Sequence, residues 1–137
     1  MQIALKILKT GLRNGTGLPE RCNFRSIVKT DKYHIFEEDH VGGHWRIYYR
    51  NSEDGFTLSN RIGPLFPLGG TGSYDEWGRA DPTVLFDDKY RMWFDAMNKD
   101  LYWDKIGYVV SSDLKEWENM GPTLGRGNPG EWDDKSV

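Results

Sequence analysis

The chain has 137 residues, with 18 basic against 21 acidic side chains and a formal net charge of −3. No like-charged block or basic stripe disturbs that balance, which argues against nucleic acid as a partner. The length suits a single domain, 1–137, with a modest core.

The first ten residues break a short apolar run at Lys6 and Lys9 and have no small-residue cleavage site. They read as neither a signal peptide nor a membrane span, so the expected location is cytoplasmic with no membrane partner. Apolar residues at 3, 4, 5, 7, 8 and 12 fit a short strand better than a helix, and a loop follows over 11–19. Cys22 stands alone, which excludes an internal disulfide and a cysteine-rich zinc site. Four short strands are then expected at 25–29, 33–37, 45–50 and 56–58. Between the last two, Asp54-Gly55 supplies the positive φ that a tight hairpin turn needs. A glycine-rich loop over 69–73 leads to a second set of strands at 83–86, 90–96, 105–110 and 115–117. No convincing helical period occurs past residue 20. Short strands joined by short turns predict meandering antiparallel sheet, which is the unit of a propeller blade. Six Trp and seven Tyr suit either β-rich packing or a sugar-binding face.

The two sets of strands are one unit used twice. Asp31-Lys32-Tyr33-His34-Ile35-Phe36 recurs as Asp88-Lys89-Tyr90-Arg91-Met92-Trp93, 57 positions later. Ile47 to Asp54 then lies over Ile106 to Asp113, Gly63-Pro64 over Gly121-Pro122, and Glu76-Trp77 over Glu131-Trp132. A repeat of this period in β-type runs points to a solenoid, an array or a propeller. The expected division is a first repeat over 20–77, a second over 78–132 and the start of a third unit at 133–137.

The run Gly78-Arg79-Ala80-Asp81-Pro82-Thr83 through Tyr90-Arg91-Met92-Trp93-Phe94 resembles the five-bladed β-propeller glycosidases. That superfamily contains arabinanases, β-xylosidases, invertases, levansucrases and mannoside phosphorylases. The likeness continues through Ile106-Gly107-Tyr108 and the Ser111-Ser112-Asp113 turn to Trp117, and covers about two blades. It implies an all-β fold of two four-stranded antiparallel blades, an incomplete propeller, that acts on or binds carbohydrate. It implies no cofactor.

Glycosidic cleavage ordinarily uses two carboxyl groups, one as acid and one as base or nucleophile. In the superfamily these come from the starts of inner strands on different blades, with a third acid tuning the pKa of the proton donor. Asp81 falls on such a position and is the catalytic candidate. Its counterpart in the first repeat is Phe24, and in the incipient third unit Ser136, so the expected set of three acids shrinks to one. Asp95, at the end of its strand, is a weaker second candidate. Trp77, Tyr74 and Arg79 are candidates for substrate binding, the two aromatics because they flank the glycine-rich loop beside Asp81. His34, His40 and His44 lack the fixed spacing of a metal site. Asp81 also reads as a strand-start residue bonding nearby backbone, and Asp54 and Asp113 read as turn formers.

Three functions fit these residues: a glycoside hydrolase-like protein, a carbohydrate-binding module that has lost its acids, or a structural propeller fragment. An open stack of two blades leaves edges and apolar faces to be covered. The chain is therefore expected to be part of a longer propeller or to associate with itself through its open blade edges.

Overall fold

In a computed structural model, which describes residues 25–100 and 103–136, the chain forms seven β-strands, with no helix among the described residues. They are β1 (Arg25–Lys29), β2 (Tyr33–Val41), β3 (His44–Ser52), β4 (Gly78–Phe86), β5 (Tyr90–Met97), β6 (Trp103–Ser111) and β7 (Glu118–Gly125). The strand expected within the first ten residues, and Cys22, lie outside the described residues. Each strand pairs with its neighbour in sequence, in the order β1 to β7. All these pairings are antiparallel except β3 to β4, which meet in parallel at the single pair Trp45 and Gly78. That joint divides the sheet into two blades, β1–β3 and β4–β7.

Alternation along the strands builds the core between the blades. Met92, Phe94 and Ala96, two apart on β5, are each no more than 1% exposed. They meet Phe36, Ile47 and Tyr49 from the first blade, together with Val84, Tyr90 and Val109 from the second. Burying a side chain of this size contributes about 1.5–3 kcal/mol, so the blade-to-blade seam is the main source of stability. Gly107 belongs to this packing. A Cβ there would lie 2.2 Å from the ring of Phe94, so only hydrogen lets the ring rest on β6.

The two repeats share the same turn. Ser52 Oγ accepts the N–H of Gly55, while Asp54 Oδ1 accepts those of Phe56 and Thr57. Fifty-nine positions later, Ser111 Oγ accepts from Leu114, and Asp113 Oδ1 accepts from Lys115 and Glu116. This corrects the outermost strands. Those N–H groups are the ones that strands at 56–58 and 115–117 would have put into a ladder. The fourth strand of the second blade therefore begins only at Glu118, and in the first blade it contracts to one bridge between Tyr49 and Ile62.

A three-carboxylate candidate site at the blade junction

Three acidic residues in a row, Glu37-Glu38-Asp39, lie on β2, and the pleat sends them to opposite sides. Glu37 Oε1 accepts from Arg50 Nε at 2.9 Å, and Asp39 Oδ2 accepts from Arg61 Nη1 at 2.6 Å. Glu38 points the other way, toward the second blade, and is only 2% exposed. There its Oε2 accepts the main-chain N–H of Asp81 at 2.6 Å.

Asp81 sits where β4 bulges between Ala80 and Thr83, with a left-handed φ of 47°. Pro82 follows, and its missing N–H suits a point where the ladder to β5 is already broken. Asp95, opposite Ala80 on β5, shares a hydrogen bond with the Asp81 carboxyl. Glu38, Asp81 and Asp95 thus meet at one end of the junction, and among the described residues none of them has a cation partner.

The electrostatics follow from that isolation. Burial, reinforced by the charges of Asp81 and Asp95 and opposed by the Asp81 N–H, lifts Glu38 from 4.5 to about 7. Burial, the charge of Asp81 and the shared hydrogen bond lift Asp95 from 3.8 to about 6. Burial also raises Asp81, and the hydrogen bond with Asp95 offsets part of that rise. The shared hydrogen bond raises Asp95 and lowers Asp81, so Asp81 is the more readily ionised of the pair.

An aromatic group lies at the Trp45–Gly78 joint, a few residues along the same strands. The rings of His40 and Trp45 are 5.0 Å apart, those of His44 and Trp77 4.7 Å, and those of Trp45 and Trp103 6.4 Å. Trp77 is held by its N–H to the Met97 carbonyl at 3.0 Å, yet remains 38% exposed. Tyr74 and Arg79 lie elsewhere. Tyr74 packs against the core and its hydroxyl donates to Asn119 Oδ1 at 3.2 Å. Arg79 is buried, with Nε donating to Asp75 Oδ2 at 2.8 Å and its guanidinium 4.6 Å from the centre of the Phe66 ring.

The structure therefore brings Asp81, Asp95 and Trp77 to one end, and adds Glu38, which sequence reasoning passed over. The signal was present. The 57-residue step that sets Asp31 over Asp88 sets Glu38 over Asp95, so the two acids are the same position of the repeat.

No protein-family model matches the chain, and no curated protein matches it by sequence. Solved structures do match it by shape. An N-acetylgalactosamine deacetylase from F. plautii, in complex with blood group B trisaccharide, matches with a TM-score of 0.62 at 21% identity, covering 82% of this chain and 33% of that one. A family 117 glycoside hydrolase produced by Zobellia galactanivorans matches at 0.64 and 19% identity, covering 82% of this chain and 41% of that one. An arabinanase from Bacillus subtilis matches at 0.58 and 14% identity, covering 80% and 40%. The chain spans between a third and about two fifths of the length of these structures. It has the all-β fold of an incomplete β-propeller, as the sequence implied.

Proposed function

We propose that the chain is a carbohydrate-recognising portion of a glycoside hydrolase-like propeller, with Asp81 as the group that meets the sugar. The observation that supports this reading is the three-carboxylate junction beside a half-open aromatic group. In it, Asp81 is the more readily ionised member of the hydrogen-bonded pair. A hydrogen-bonded pair is closer than the roughly 5 Å or more that separates the two carboxyls of a glycosidase. Asp81 and Asp95 therefore act as one proton-holding unit on one side of the sugar. Glu38, at 2% exposure, is a positioning residue that holds the main chain of Asp81. The opposing carboxyl belongs to another blade. Trp77 offers its exposed face for stacking on a sugar ring.

Titration with arabino-, xylo- and galacto-oligosaccharides, followed by tryptophan fluorescence, tests this reading. Binding that weakens in both Asp81→Asn and Trp77→Ala is the expected result, with no hydrolysis of aryl glycosides by a monomer. Unchanged fluorescence across the whole panel would remove the carbohydrate reading.

A further inference from the structure

We propose that a cavity at the end of the blade junction opposite to Asp81 is a second binding site, which takes a small molecule with an apolar body and one carboxylate. His34 marks this end. It lies on the same side of β2 as Glu38, four residues before it, so roughly 13 Å of strand separates the two. The cavity is half-open and has a volume of about 470 Å³, within the range of small-molecule sites.

Its walls come from both blades. The first blade supplies Ile62, Pro64 and Leu65, and the second supplies the turn at Asp113 and Leu114. Two main-chain bonds with Tyr49, at 2.8 and 2.9 Å, hold Ile62, and the Leu65 N–H reaches the Ile47 carbonyl at 2.9 Å. This wall is therefore fixed to β3. On the other side, the turn over 111–116 repeats the turn over 52–57, in which Gly55 takes the left-handed position with φ at 80°. Leu114 holds that position with φ at 66°, a backbone that disfavours any Cβ. The second blade thus keeps a leucine where the first has the unstrained residue. That side chain packs on the core and lines the cavity.

The chemistry of the walls selects the ligand. Polar groups on the floor already satisfy one another. His34 is 3% exposed, with Nδ1 2.8 Å from the Tyr49 hydroxyl and Nε2 2.9 Å from Thr30 Oγ1 and 3.2 Å from the Tyr90 hydroxyl. The nearby acids are engaged as well. Asp113 Oδ1 accepts the N–H groups of Lys115 and Glu116, and Asp31 Oδ1 accepts from Thr30 at 2.7 Å and faces His34 at 3.3 Å. Of the two lysines that line the cavity, Lys32 meets Glu53 only at 3.9 Å. Among the described residues, Lys115 has no carboxylate at ion-pair distance. What the site leaves free is apolar surface and ammonium charge. An apolar body against Leu65 and Leu114, with its carboxylate toward the lysines, uses both.

Titration of nitrogen-15-labelled protein with phenylacetate, followed by amide shifts, tests the proposal. Its neutral isostere phenylacetamide is the control. Saturable shifts at Leu65 and Leu114, with the Asp81 amide unmoved, are expected below about 10 mM. Phenylacetamide should bind about fivefold or more weakly, and Lys115→Glu should weaken phenylacetate by about the same factor. Leu114→Gly relieves the backbone, so it should keep the far-ultraviolet spectrum of the parent while binding phenylacetate about fivefold more weakly. No saturable shift by about 10 mM overturns the proposal, as do shifts centred on Asp81 or equal binding of the amide. So does binding that survives both Lys115→Glu and Leu114→Gly.

Discussion

The carboxylate of Glu38 accepts a 2.6 Å hydrogen bond from the main-chain N–H of Asp81, which lies 43 positions further along the chain. One buried acid thereby ties the first blade to the strained point of the second. This contact fixes a backbone group, so it constrains where the Asp81 carboxyl points without consuming it.

The pH dependence of stability follows from that burial. Glu38 is lifted from 4.5 to about 7 and Asp95 from 3.8 to about 6. Between these limits the unfolded chain has released protons that the folded chain still holds, so stability falls as pH rises from about 4 to 7. Glu38→Gln keeps an oxygen to accept the Asp81 N–H but has no charge to bury. It is expected to flatten the upper part of that fall and to be about 1–3 kcal/mol more stable than the parent at pH 8, by urea denaturation. A variant that is less stable at pH 8 and equally pH-dependent would contradict the assignment.

Backbone strain at Asp81 predicts a second comparison. With φ at 47°, any residue with a Cβ is disfavoured there, and glycine is not. Asp81→Gly and Asp81→Ala both remove the carboxyl, so their difference isolates the strain. The glycine variant should be the more stable of the two by about 1 kcal/mol in thermal or urea unfolding. Both should lose sugar-dependent fluorescence.

The ring of Phe94 lies against Gly107, where a Cβ would come within 2.2 Å. Gly107→Ala is therefore expected to cost about 1–3 kcal/mol by overpacking, read as a lower urea midpoint with an unchanged slope. Pairing it with Phe94→Leu should recover part of the loss.

Asp75 and Arg79 are 1% and 5% exposed and form a buried ion pair. Asp75→Asn leaves the guanidinium buried without its counter-charge and should cost roughly 3–5 kcal/mol. Removing both charges, in Asp75→Asn with Arg79→Met, should be milder than removing one. If the single and double variants are equally stable, the pair has no electrostatic coupling.

Much of the architecture was legible because strand and turn signals in this chain are local. The span 25–29 was read with the bounds that β1 has, and β5 extends the expected 90–96 by one residue. The outermost strands were not legible. Asp54 and Asp113 compete for the N–H groups just after them, and a hydrophobic run such as Phe56-Thr57-Leu58 does not record which acceptor wins. Asp81 and Asp95 were read as site candidates, but Glu38 was hidden between Glu37 and Asp39, whose arginine partners hold them on the other side of the strand. Charge alone does not separate three adjacent acids; the period of the pleat does. Arg79 was placed beside Asp81 by sequence, yet its fork is engaged by Asp75, an acid four residues earlier that no motif marks.

Each strand of the sheet lies beside the one that precedes it in the sequence, and the two blades touch in the ladder at one pair, Trp45 and Gly78. Such a sheet never needs to be rethreaded to grow. A further repeat joined after β7 leaves every earlier pairing in place, so blades of this kind can be gained or lost in evolution as whole cassettes.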